Sequence, residues 1–403
     1  MHKIERLLQT LAPKGVEFRK LGEVINILKG KQLNKELLLD YGEYPVMNGG
    51  IHASGYWNEY NTDYPKIIIS QGGASAGYVN YMTSKFWAGA HCYTIELNSE
   101  KLNYKFLYYF LKNSQIILMK SQFGAGIPAL NKADIETLTI PIPPLEVQQE
   151  IVKILDAFTE LNTELNTELN ARKKQYQYYQ NMLLDFDGIH SNHKDAKTKT
   201  YPKRLKTLLQ TLAPKGVEFR KLGEVCEILD NRRIPIAKNK RNPGIYPYYG
   251  ANGIQDYIDS YIFDGDFVLV GEDGSVINKD NTPVVNWASG KIWVNNHAHV
   301  LQTKNELKLK FLYFYLQTID VSYCVAGTPP KINQENLKKI TIPIPPLEVQ
   351  QEIVKILDQF SILTTDLLAG IPAEIKARKK QYEYYREKLL TFKPLTPHKE
   401  VRK

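Results

Sequence analysis

The sequence predicts an α+β chain: two globular domains, each followed by a long helix, with the two helices pairing as an antiparallel coiled coil. Three observations lead there. Residues 7–24 (LLQTLAPKGVEFRKLGEV) recur unchanged at 208–225, and residues 139–156 (TIPIPPLEVQQEIVKILD) recur unchanged at 341–358. A period of about 200 residues is too long for a solenoid, so each copy is a domain-sized unit. Between the repeated blocks the copies diverge, and strand-like and helical runs mix without a βαβ rhythm. After each second block comes a long apolar stripe at helical spacing, which cannot bury itself alone.

The first unit opens with a helix-prone stretch over 4–11, closed by Ala12-Pro13-Lys14-Gly15. Strands are predicted at 66–70 and 93–97, with Gly72-Gly73 as a turn. A helix over 103–120 follows from the recurrence of Phe106, Leu107, Phe110, Leu111 and Ile117. In the second unit 267–270 is strand-like, 271–274 a turn, and 309–316 the counterpart helix. Pro141 and Pro143, like Pro343 and Pro345, alternate with isoleucine. That pattern imposes an extended segment.

The first spacer helix is predicted over 146–184, about 58 Å at 1.5 Å per residue. Its stripe runs Ile151, Leu155, Phe158, Leu161, Leu165, Leu169, Tyr176, Tyr179, Leu183; the second runs Ile353, Leu357, Phe360, Leu363, Leu367, Ile375, Tyr382, Tyr385, Leu389. Helix pairing is assigned to Ile151, Leu155, Phe158, Leu165, Ile353, Leu357, Phe360 and Leu367. Residues 159–170 read Thr-Glu-Leu-Asn three times. The offset between copies grows from 202 at Thr139/Thr341 to 206 at Ala171/Ala377, so the second spacer is four residues longer. It contains Gly370-Ile371-Pro372, which should interrupt the helix. The resulting division is a first domain at 1–144, a spacer at 145–186, a basic linker at 187–206, a second domain at 207–346, a spacer at 347–392 and a tail at 393–403. His190 and His193 lie in the linker, where a solvated polar segment is preferred over a metal site.

Composition bounds the function. With 403 residues, 43% hydrophobic and 24% charged, two cores and an extended element fit comfortably. The longest apolar runs, 67–69 and 116–119, fall far short of the roughly 18 residues that cross a bilayer. The start of the chain lacks a signal-peptide apolar region. A cytoplasmic protein with no membrane partner is expected. Cys92, Cys226 and Cys324 are too scattered for a disulfide framework or a zinc site. The net charge of +9 permits a polyanionic partner without requiring one.

The repeated KGVEFRKLGEV frame, the Tyr-Pro turns at 44–51 and 246–254, and IPIPPLEVQQEIVKIL before each long helix resemble the specificity subunit of type I restriction–modification enzymes. The resemblance covers nearly the whole chain, twice and in order. It implies that each domain reads one half of a bipartite, asymmetric double-stranded DNA site, while the helices set the gap and dock methyltransferase (modification) subunits, with restriction subunits as further partners. Methylation and cleavage would then belong to those partners, leaving this chain with no catalytic residues, no metal and no cofactor. The duplication agrees, because an antiparallel pair of helices gives a rough two-fold suited to half-sites about 34 Å apart on duplex DNA.

Lys29, Lys31 and Gln32 follow the first strand-like entry, and Asn231, Arg232 and Arg233 hold the equivalent place in the second unit. Gln71, Lys85, Asn278 and Lys279 lie in or near the glycine turns. Arg and Lys suit guanine edges, Asn and Gln adenine; phosphate contact and a solvated loop stand beside base readout. An intrinsic enzyme is disfavoured. Phe123-Gly-Ala-Gly126 is matched by Val325-Ala-Gly-Thr328, and no methyltransferase tetrapeptide, Walker A loop, HExxH or GxSxG occurs. His91, His297 and His299 read as packed or hydrogen-bonded. A protein-binding scaffold is the other rival, separated by salt-dependent duplex binding. Deleting one TELN removes about 6 Å of helix. The preferred gap in selected duplexes should shorten, and an unchanged gap would refute the spacer reading.

Overall fold

The computed structural model describes residues 2–123, 128–186, 201–274, 276–365 and 370–395. The chain divides into two compact units, residues 1–166 with 375–403 and residues 167–374. Each unit therefore holds one insert, the first part of the spacer that follows it, and the last part of the other spacer.

The repeated blocks turn out to be partners. Glu17–Lys20 pairs antiparallel with Thr139–Ile142, setting Phe18 opposite Pro141. Glu218–Lys221 pairs with Thr341–Ile344 in the same register, Phe219 opposite Pro343. Each is a two-stranded ribbon, so a proline can face the open edge without costing a ladder bond. The ribbon closes the two ends of the insert.

Inside the first insert, Ile25–Lys29, Cys92–Leu97, Lys66–Ser70 and Val79–Met82 form an antiparallel sheet in that order. A smaller sheet holds Tyr56–Trp57, Tyr44–Met47 and Trp87–Ala88. In the second insert the two sheets merge. Cys226–Ile228, Ala298–Thr303, Phe263–Gly271, Val285–Val294, Pro243–Gly250 and Gly253–Ile258 form one six-stranded sheet. The ten-residue strand Val285–Val294 runs through where the first insert has two short strands. The Tyr-Pro segments expected to be turns are strands: Pro45 pairs with Tyr56, and Pro247 with Tyr257. The chain reverses just beyond them, at the glycines.

The first spacer is one helix, Leu145–Leu184, of 40 residues. The second is a helix Leu347–Thr365 that restarts as Ile371–Leu390. Pro372 sits in the first turn of the restart, where its missing N–H costs nothing; Leu367 lies outside the described residues. The helix expected over 103–120 is instead two, Tyr104–Asn113 and Gln115–Lys120. Gln115 accepts hydrogen bonds from Val79 N and Lys112 Nζ, which ties the junction to the sheet. His190 and His193 are outside the described residues. The linker is shorter than expected, because the helix Lys203–Leu212 begins within it. Leu205 is fully buried, and Arg204 meets Glu352 at 3.1 Å as Lys3 meets Glu150 at 2.6 Å. The duplication thus begins before the identical block.

In the first unit Phe106, Leu107, Ile140, Val147, Ile151 and Leu155 share a core with Leu389 and Leu390. Phe392 meets Phe106 edge-on at 6.4 Å. In the second, Phe311, Leu312, Ile342, Val349, Ile353 and Leu357 share a core with Leu183, Leu184 and Phe186, and Phe186 lies 6.1 Å from Phe311. Phe158 stacks on Tyr385 at 5.5 Å, and Tyr179 on Phe360 at 5.1 Å. An early residue of one spacer meets a late residue of the other in both cases, which is antiparallel pairing. Leu165 is half-buried.

A glutamine latches each insert to its spacer. Gln148, fully buried, accepts from Asn103 N at 2.7 Å and donates to Lys101 O and Pro143 O. Gln350 accepts from Lys308 N at 2.8 Å and donates to Glu306 O and Pro345 O. Gln350→Leu should cost about 1–3 kcal/mol for each group left unpaired. Phe186→Ala should cost about 3–5 kcal/mol, read as a fall in the melting temperature of the full chain; a melt like the native one would contradict the shared core.

Candidate nucleic-acid interface

Four segments converge at one edge of each insert, held by the same backbone hydrogen bonds. In the first unit Gln71 N donates to His91 O at 2.9 Å, Gly73 N to Pro128 O at 2.8 Å, and Leu130 N to Gln71 O at 2.8 Å. In the second, Glu272 N donates to His297 O at 2.9 Å, Gly274 N to Pro330 O at 3.0 Å, and Ile332 N to Glu272 O at 2.9 Å. Phe123 and Ala129 exchange backbone bonds as Ala326 and Lys331 do. Gly73 and Gly274 take φ of +78° and +80° with open space around them. Glycine is there for backbone conformation, not for room. The fourth segment enters from the first sheet strand. Lys29 pairs with Tyr93 across the sheet, whereas in the second unit Asp230 hydrogen-bonds the equivalent strand at Val300 N.

The side chains on this shared cradle differ. Lys29, Lys31 and Gln32 are exposed beside it; Lys31 N donates to Ala88 O, and Trp87 Nε1 to Lys31 O at 3.1 Å. A cleft of about 290 Å³ is lined by Lys29, Gly30, Lys31, Lys66 and Glu96 among others. Gln71 lies in the cradle with its Oε1 buried and unpartnered. In the second unit Asn231 and Arg232 are exposed, Arg232 resting on the ring of Phe263 at 4.7 Å.

Arg233 differs from its neighbours. Its guanidinium, only 11% exposed, binds Glu272 at 2.6 Å, Asp230 at 3.4 Å and Ala298 O at 2.8 Å. It is committed to the scaffold. Asn278 and Lys279 are both exposed on the next turn, where the Asn278 amide donates to Thr282 Oγ1 and Pro283 O.

Lys85 is not in the cradle. It lies over the Tyr60 ring at 4.0 Å, bonds the Tyr60 hydroxyl at 2.7 Å and neighbours Asp63 at 3.8 Å. Tyr60 packs on Tyr44 at 5.1 Å. The second unit repeats this with Lys291 over Tyr261 at 4.7 Å and Tyr261 on Tyr246 at 5.1 Å. The bond to tyrosine holds both lysines above their ordinary range. Lys291 escaped sequence reading because it is single and isolated in a variable segment.

Among the described residues the metal-ligand types gather once, at Asp230, Glu272 and His299. Arg233 and Lys331, 3.1 Å from Glu272, already answer that charge. Burial pushes the Asp230 carboxyl up, but the hydrogen bond and charge of His299, with Arg233 and Val300 N–H, overcome it and hold the group below its ordinary value. Burial raises the thiols of Cys92 and Cys226 to about 12, which makes them poor nucleophiles. Of the Phe123-Gly-Ala-Gly126 segment, residues 124–126 lie outside the described residues.

A family model described as the type I restriction modification DNA specificity domain matches residues 13–173 and 214–377. A Haemophilus influenzae protein carrying the name of a type I restriction enzyme specificity subunit is 45% identical over 179 residues, 43% of this chain and 46% of that protein, so the match spans about half of each. The EcoR124I/EcoR124II specificity subunit of Escherichia coli is 28% identical over 438 aligned positions, 98% of each chain. The crystal structure of a type I restriction–modification S subunit from M. genitalium shares the fold with a TM-score of 0.65, at 21% identity over 93% of this chain and 96% of that one.

Because Asp230 is held below its ordinary value, its contribution to stability is full above the carboxylate range and is lost as pH falls through the folded value. The stability difference between the native chain and Asp230→Asn should therefore be largest at neutral pH and shrink below about pH 4. Urea midpoints at pH 7 and pH 3 check this, and an equal difference at both would contradict it.

Proposed function

Since the chain belongs to the type I restriction–modification DNA specificity family, we propose that it is the sequence-reading subunit of such a system. Each insert reads one half of a bipartite, asymmetric duplex site. The paired spacers set the gap and dock methyltransferase subunits, which carry the chemistry together with any restriction subunits. The observation that carries this reading is the repeated cradle: one backbone arrangement presenting two different side-chain sets. Two such sets suit two unlike half-sites, whereas a homodimer would read a palindrome.

Within that reading the candidates sort by chemistry. Lys29, Lys31, Gln32 and Gln71 on the first unit, and Asn231, Arg232 and Lys279 on the second, are the proposed contacts nearest the variable loops. Lys85 and Lys291 recur in the same tyrosine setting, so they suit the part of DNA that does not vary, the phosphates. Arg233 and Asn278 serve by holding loops.

Selection of bound duplexes from a random pool tests the function directly, with and without a modification subunit. Two separated, unlike motifs are expected; recovery of no motif would reject the reading. Lys85→Ala and Lys291→Ala should each weaken binding to all duplexes alike and reduce the salt slope by about one. Arg232→Ala should instead relax preference at one half-site, about tenfold or more for a lost base contact. An unchanged affinity and salt slope would remove Arg232 from the interface.

A further inference from the structure

The two cradles rest on different chemistry. Beneath the first, the Tyr93 hydroxyl donates to Leu130 O at 3.2 Å, with the Gln71 side chain beside it. That support is neutral. At the equivalent place in the second, His299, fully buried, meets Ile332 O through Nε2 at 2.8 Å and Asp230 Oδ2 through Nδ1 at 2.6 Å. Glu272 takes the place of Gln71 and lies 3.7 Å from His299. Arg233 spans Glu272 and Asp230, Lys331 reaches Glu272, and Gln334 donates to Asp230 at 3.1 Å.

The network touches all four converging segments: the 230–233 entry, the 272–274 turn, the 297–299 strand start and the 331–332 return. Removing one partner of a buried ionic cluster of this kind is costly, because it leaves an uncompensated charge away from water. The cluster's directional bonds restrict geometry, since any shift leaves a charge unpaired in a dry site.

We propose that Asp230, His299, Glu272 and Arg233 are positioning residues that hold the reading loops of the second unit, and that only the half-site read by this unit depends on them. Asn231 and Arg232 lie within the entry that the network anchors at both ends, so loosening it moves the groups that would face bases. The proposal rests on the reading of these loops as DNA-facing.

Duplex selection with the full chain tests it, using His299→Gln, which keeps a donor for Ile332 O, and Glu272→Gln, which keeps an acceptor for Arg233. The expected result is a loss of base discrimination, about tenfold per position, at one half-site and an unchanged preference at the other. Relaxation at both halves, or at neither in a folded variant, would overturn the proposal. Native chain that selects no motif would instead reject the DNA reading itself. Amide hydrogen exchange on the native chain needs no variant to fold. After correction for intrinsic rates, Gly274 and Ile332 should exchange at least about tenfold more slowly than Gly73 and Leu130, corresponding to a stiffer second cradle. Equal protection would overturn the proposal.

Discussion

Neither core is complete within its own copy of the repeat. Phe392 on Phe106 and Phe186 on Phe311 are the contacts that close them, and each comes from the far end of the other spacer. An amphipathic helix longer than its own domain must bury its stripe somewhere. Here the first turns of each spacer pack into the insert they follow, and the last turns of the other spacer cover what remains. Insert, ribbon and spacer pairing all depend on that closure, because without it Ile151, Leu155, Ile353 and Leu357 would face water.

On this base the identical and divergent segments divide the work. The identical blocks supply the ribbon, the buried glutamines and the spacer starts, where the strand register and the Gln148 and Gln350 hydrogen bonds are the same in both units. Lys105 with Asp156 at 2.8 Å, and Lys310 with Asp358 at 3.6 Å, add the same bridge from each insert helix to its spacer. The inserts vary in sequence and even in sheet continuity, yet they return to the same cradle. Backbone hydrogen bonds explain this: they place Gly73 and Gly274 alike whatever the side chains are, so side chains are free to differ on a constant support.

That freedom reaches beneath the surface. The supports of the two cradles, Tyr93 beside Gln71 and His299 with the carboxylates of Asp230 and Glu272, are alternative solutions to one geometric demand. Both satisfy the carbonyl of the returning loop, at Leu130 and at Ile332. A family relationship carried by frames is therefore compatible with divergence at the place proposed to read DNA. Lys85 and Lys291 show the converse, a constant feature within the variable inserts.

By itself the sequence determined the α+β class, the duplication, the strand Lys66–Ser70, the helix Leu309–Leu316, the first spacer helix and the break before Ile371, because each follows from local periodicity or from a proline. The resemblance of the repeated frames to a known family was equally legible. Tertiary structure alone decided that the two identical blocks pair with each other, that each core closes on the other spacer, and that Arg233 turns inward while Arg232 stays out. It also decided that Tyr93 and His299 share a role. Those outcomes depend on partners more than thirty residues away or on which face of a turn meets a buried carboxylate, and a one-dimensional pattern does not encode such distances.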